Sequence, residues 1–125
     1  MERNLYQTID KNTSDSDAIK LFYKDDRWKF DSKYDSIIAK LRDAFEKKNI
    51  YIGVYEEMFN MDKVRELSEF IGIDYDPLMI EKKVNSSKKT EELDTEVIKT
   101  VRKFYNETYE FCYLNFPQTT YLWNN

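Results

Sequence analysis

Residues 47–67 read KKNIYIGVYEEMFNMDKVREL: two lysines, a short apolar run, an acidic pair, then apolar and charged residues at helical spacing. Ile50-Tyr51-Ile52-Gly53-Val54-Tyr55 is almost wholly apolar or aromatic, the pattern of a short strand buried on both faces. From Asn60 or Asp62 onward, Val64, Leu67, Phe70 and Ile71 recur every three or four residues. That spacing predicts an amphipathic helix, and Gly72 is placed to end it. A buried strand needs a neighbour on each edge, because its backbone groups must be paired. The rest of the chain decides whether such a neighbour exists.

Upstream, Leu5-Tyr6-Gln7-Thr8-Ile9 is the one candidate for a second short strand. Ser14-Asp15-Ser16-Asp17 supplies N-cap chemistry ahead of Ala18, Ile19, Leu21 and Phe22, which predicts a short helix. Asp25-Asp26-Arg27 reads as a turn. Asp31 or Ser32 then starts a helix carrying Tyr34, Ile37, Ile38, Leu41 and Phe45, with Lys47 and Lys48 near its negative end. Downstream, Asp76-Pro77 opens a short helical turn. Residues 82–92 form a polar loop. Asp94 caps the last and longest helix, with Val97, Ile98, Val101, Phe104, Tyr105, Tyr109 and Cys112 along it. Pro117 stops that helix, and Tyr121, Leu122 and Trp123 form an apolar tail expected to fold back. Two glycines and two prolines in 125 residues favour long helices. The expected fold is mainly α with one or two short strands, as a single domain over 1–125. Its first 30 residues form a polar segment with a short helix. Leu41, Phe45, Ile52, Val54, Leu67, Phe70, Val101 and Tyr105 are expected to form one core around the strand.

Composition excludes several chemistries. Histidine is absent, which removes the commonest general base and transition-metal ligand. The single cysteine, Cys112, allows no internal disulfide and reads as a small buried apolar group. No calcium-loop spacing is present, so no metal is expected. The net charge of −4, with both signs interspersed, gives no basic footprint for nucleic acid. No stretch approaches the roughly 18 apolar residues of a membrane span, and MERNLYQTIDKN has no signal-peptide core. A cytoplasmic, reducing location is the expectation. Glu56 and Glu57 point to opposite faces of a strand and do not converge on one proton. One of them is expected to cap the next helix or to pair with Lys63 or Arg65.

The order of these segments resembles the C-terminal part of the sulfotransferase family, a P-loop-type α/β fold. The resemblance covers residues 32–123 and rests on Tyr55-Glu56, Phe70-Ile71-Gly72, Val84-Asn85-Ser86, Tyr105…Tyr109-Glu110-Phe111 and Asn115-Phe116-Pro117 with Leu122-Trp123. It implies sulfuryl transfer from 3′-phosphoadenosine 5′-phosphosulfate (PAPS). In the family, the loop before the last helix closes over the nucleotide, which makes Asn85, Ser86, Ser87, Lys88 and Lys89 the candidate cofactor-binding residues. Two ammonium groups, an amide and two hydroxyls suit a phosphate; a solvated basic loop is the alternative. The family's phosphosulfate loop, expected upstream, has no counterpart here. Lys11-Asn12-Thr13-Ser14 lacks the glycine that close backbone approach requires, and Arg3 and Arg27 lack the family's flanking serines. The resemblance therefore implies a partial or degenerate sulfotransferase, or one half of a split enzyme, not catalytic on its own and taking PAPS only if a partner chain completes it. The alternative is a small non-catalytic helical interaction protein. In either case a homodimer or a complementary sulfotransferase half is the expected partner, because the strand's neighbours belong mainly to the missing half. A two-fold dimer would bury upwards of roughly 1,200 Å², with the strand or the aromatic last helix at its centre.

Overall fold

The computed structural model describes residues 9–80 and 91–124. Among these residues the chain is mainly helical and contains no strand. The helices are α1 (Asp15–Phe22), α2 (Asp26–Ser32), α3 (Tyr34–Ala44), α4 (Met61–Ile71), α5 (Thr95–Phe104), α6 (Asn106–Asn115) and α7 (Thr119–Leu122). Single 3₁₀ turns occupy Lys47–Asn49, Tyr55–Glu57 and Pro77–Met79.

Local chemistry sets most helix ends. Ser14 caps α1 by accepting from the Asp17 N–H, Asn60 caps α4 through the Lys63 N–H, and Asp94 caps α5 through the Glu96 N–H. Gly72 closes α4 in the left-handed region at φ 81°, where its N–H bonds to the Ser68 and Glu69 carbonyls. Asp76 accepts from the Leu78 N–H as Pro77 opens its turn. α6 stops at Asn115, two residues before Pro117.

Four expectations need correction. Residues 50–54 are extended, with φ −117° and ψ 124° at Ile50 and φ −87° and ψ 123° at Val54, but no ladder forms among the described residues. Side-chain packing holds the segment instead: Val54 is buried, and the Tyr51 ring sits 5.5 Å from Phe70. Gly53 lies where a Cβ would collide with Met58 Sδ. Asp25, read as part of a turn, caps a further helix, α2, through the Arg27 N–H. Asp31 and Ser32 consequently lie inside α2, and Lys33, at φ −83° and ψ 75°, separates it from α3. The last helix is two: Tyr105, at φ −98° and ψ 21°, leaves the helical basin between α5 and α6.

The core is also divided. Residues 9–38 with 91–112 form one compact unit, and 39–80 with 113–124 form another. In the first unit Ile38, Val97, Tyr105 and Cys112 are buried. Tyr105 Oη donates to the Tyr23 carbonyl at 2.6 Å, and Phe104 meets the Tyr23 ring edge-on at 5.3 Å. Ser16 Oγ accepts from the Asp94 N–H, joining the start of α5 to α1, and Thr108 Oγ1 donates to Asp35 at 2.6 Å. Burial pushes the Tyr105 phenol and the Cys112 thiol above their ordinary values, and the Asp35 charge adds to the effect on Cys112. In the second unit Val54, Ser68 and Thr119 are buried, and Ser68 Oγ donates to the Val64 carbonyl within α4. The single cluster expected around the strand is not formed. Phe45 and Phe70, two of its members, are exposed.

Candidate functional site

The segment that opened the sequence argument becomes a turn rather than a strand end. Val54 accepts from the Glu57 N–H at 3.0 Å and Tyr55 from the Met58 N–H at 3.2 Å, which winds Tyr55–Glu57 into one 3₁₀ turn. The C-terminal tail returns to this turn. Trp123 Nε1 donates to Glu56 Oε1 at 2.8 Å, and Gln118 Nε2 donates to Glu57 Oε2 at 3.2 Å. Thr119, in α7 between these two donors, is buried to 1% exposure. The tail folds back as expected. Among the described residues neither Glu56 nor Glu57 caps α4, which Asn60 does, and neither forms an ion pair with Lys63 or Arg65, although the Glu57 charge acts on Lys63. Lys63 bonds Glu66, which raises its ammonium pKa, and the Arg65 guanidinium lies over Tyr75. Asn60 Nδ2 instead donates to the Glu57 carbonyl, which ties the turn to the start of α4.

Two neutral donors satisfy these carboxylates without cancelling their charge. Among the described residues neither Glu56 nor Glu57 forms an ion pair. Beside them the Tyr55 and Phe59 rings stand edge-to-face at 5.0 Å, 71% and 55% exposed, with Met61 also exposed. Residues 55–62 thus present aromatic and thioether surface among three carboxylates (Glu56, Glu57 and Asp62), with Lys63 next in the chain and electrostatically coupled to Glu57.

The end of α3 has the opposite character. Arg42, Phe45 and Lys47 line an open concavity of about 350 Å³. Along residues 40–48 the chain carries Lys40, Arg42, Lys47 and Lys48 against Asp43 and Glu46. Phe45 projects from this basic ground at 57% exposure. The Lys48–Glu46 ion pair is local and exposed, so its worth is small.

The candidate cofactor residues Asn85, Ser86, Ser87, Lys88 and Lys89 lie outside the described residues, as do residues 5–8 of the candidate strand at 5–9. Lys11–Ser14 is a capping loop. Asp10 Oδ1 accepts from the Asn12 N–H at 2.7 Å, and Ser14 caps α1. The described residues hold no cluster of potential metal ligands, and none of their helices is long and apolar enough to cross a membrane. The acidic aromatic turn with its indole donor escaped the sequence reading. Its one signal was Trp123, whose indole N–H calls for an acceptor when half-buried. Compared with family models, with curated proteins and with solved structures, the chain gave no match.

Proposed function

We propose that the chain is a non-catalytic helical interaction module that engages a protein partner through residues 42–62. What supports this is the inverted balance of apolar surface. Five hydrophobic residues are buried among the described residues, whereas seventeen large ones are exposed, among them Phe45, Tyr55, Phe59 and Met61 in one short stretch. Scattered exposed apolar residues are ordinary, but an exposed aromatic pair such as Tyr55–Phe59, packed at 5.0 Å beside carboxylates, marks an interface. The test is a photo-reactive phenylalanine analogue placed at Phe59 in the cells that make the protein. A discrete protein adduct is expected, and illumination without any adduct would overturn the proposal.

The order in which α4 ends at Phe70-Ile71-Gly72 and is followed by Asp76-Pro77 supports a second reading, a sulfotransferase-like half completed by a partner chain. Calorimetric titration with 3′-phosphoadenosine 5′-phosphate separates the two. The interaction module should bind no tighter than the millimolar range, about −4 kcal/mol. Micromolar binding that is lost in Lys88→Ala/Lys89→Ala would favour the sulfotransferase-like half.

A further inference from the structure

We infer that the partner is a second copy of this chain, docked so that the acidic aromatic turn at 55–62 of each copy meets the basic concavity at Arg42, Phe45 and Lys47 of the other. The inference rests on the interaction-module reading and gives that module its partner. Both surfaces belong to the same compact unit, so every copy carries both.

Their charges are opposite, and each persists within the chain. Among the described residues Glu56 and Glu57 accept from the neutral Trp123 and Gln118 side chains, and Glu57 also feels the Lys63 ammonium, which is itself bonded to Glu66. Lys47 takes part in no ion pair among the described residues, and Lys48 pairs only with neighbouring Glu46. The apolar parts match as well. The open concavity of about 350 Å³ lined by Arg42, the exposed Phe45 and Lys47 is large enough to admit an aromatic ring. Tyr55, 71% exposed, is the most exposed ring of the turn. Arg42 and Lys47, which line the concavity, are cations that can meet its face, and Arg42 also donates to Asn115 Oδ1.

Other occupants fit less of the surface. A basic partner would satisfy only the turn, and an acidic one only the concavity. A second copy in a two-fold arrangement satisfies both, because in an isologous contact residue i meets j and j meets i. Opposed charge patches of this kind set orientation and speed encounter.

The experiment is sedimentation equilibrium of the full chain, repeated with charge-reversed variants. Wild type is expected to dimerise at tens of micromolar, with the dissociation constant rising at least tenfold between 50 mM and 500 mM salt. Lys47→Glu/Lys48→Glu alone, and Asp62→Lys alone, should each raise the constant at least tenfold while helicity by circular dichroism is unchanged. Mixing the two variants should give a dimer tighter than Lys47→Glu/Lys48→Glu forms with itself, since one of the two contacts of the mixed pair is then the wild-type one. A monomeric wild type, or a dimer indifferent to both reversals, overturns the inference, as does a mixture no tighter than Lys47→Glu/Lys48→Glu alone. Failure here is separable from failure of the interaction reading. A Phe59 adduct with a different protein would keep that reading and reject the second copy, whereas no adduct rejects both.

Discussion

The indole N–H of Trp123 donates to Glu56 Oε1 at 2.8 Å, joining two residues 67 positions apart in the chain. This bond, with Gln118 to Glu57, holds the tail against the turn at Tyr55–Glu57 and occupies both carboxylates structurally. Trp123→Phe keeps an apolar ring, though a smaller one, and removes the donor. It should cost about 0.5–1 kcal/mol on denaturant melting, below the usual figure for a charged acceptor because Glu56 is exposed. Glu56→Gln should be milder, since an amide oxygen still accepts.

Tyr105 combines burial with a tertiary hydrogen bond to the Tyr23 carbonyl. Tyr105→Phe leaves that carbonyl without its donor and should cost about 1–2 kcal/mol. Tyr105→Ala adds a cavity between α5 and α6 and should cost about 3–5 kcal/mol. Urea unfolding with unchanged m values would measure both.

Cys112 sets an alkaline limit. Its thiol is raised above the ordinary 9.0, chiefly by burial and then by the charge of Asp35. The folded state therefore holds the proton longer than the unfolded chain does. The associated stability is complete below pH 9 and is lost as pH climbs through the raised value. The Tyr105 phenol, raised from 10.0 by burial, extends the loss to higher pH. Thermal melts from pH 7 to 11 should show the decline beginning near pH 9, and Cys112→Ala should delay its onset. At pH 8 the thiol should react with a disulfide reagent only after unfolding.

Val97 and Phe45 test where the core lies. Val97, 4% exposed, should cost about 1–2 kcal/mol when changed to Ala, because buried methyl groups are lost. Phe45→Ala removes a larger but exposed ring, and should cost less than about 0.5 kcal/mol. The reverse ranking in chemical melts would place the core at the end of α3 instead.

Gly72 isolates backbone conformation from packing. A Cβ there meets nothing within 4 Å, but φ of 81° is strained for any L side chain. Gly72→Ala should cost about 1 kcal/mol and Gly72→Asn less, as asparagine tolerates this region better. Equal losses for the two variants would point to a clash rather than strain.

What could be read from the residues alone lies within a few positions of its cause. A cap within Ser14–Asp17, a helix start at Asn60 or Asp62, Asp94 as a cap, Gly72 as a terminator, Pro117 as a stop and Cys112 as a buried group all follow from bonds or steric limits that the local chain imposes; the structure settles the first two on Ser14 and Asn60. The polar loop at Lys11–Ser14 was legible for the same reason. The turn at 55–57 was not, because strand and irregular extended chain share one apolar pattern and differ only in whether a second strand lies alongside. Nor was the break at Tyr105, whose helical periodicity continues unbroken through the sequence while its hydroxyl is drawn to Tyr23, 82 residues away. The division of the core, the exposure of Phe45 and Phe70, and the commitment of Glu56 to Trp123 are likewise tertiary outcomes. They depend on which distant surfaces meet, and helical spacing records only that a side chain can share a face, not what covers that face.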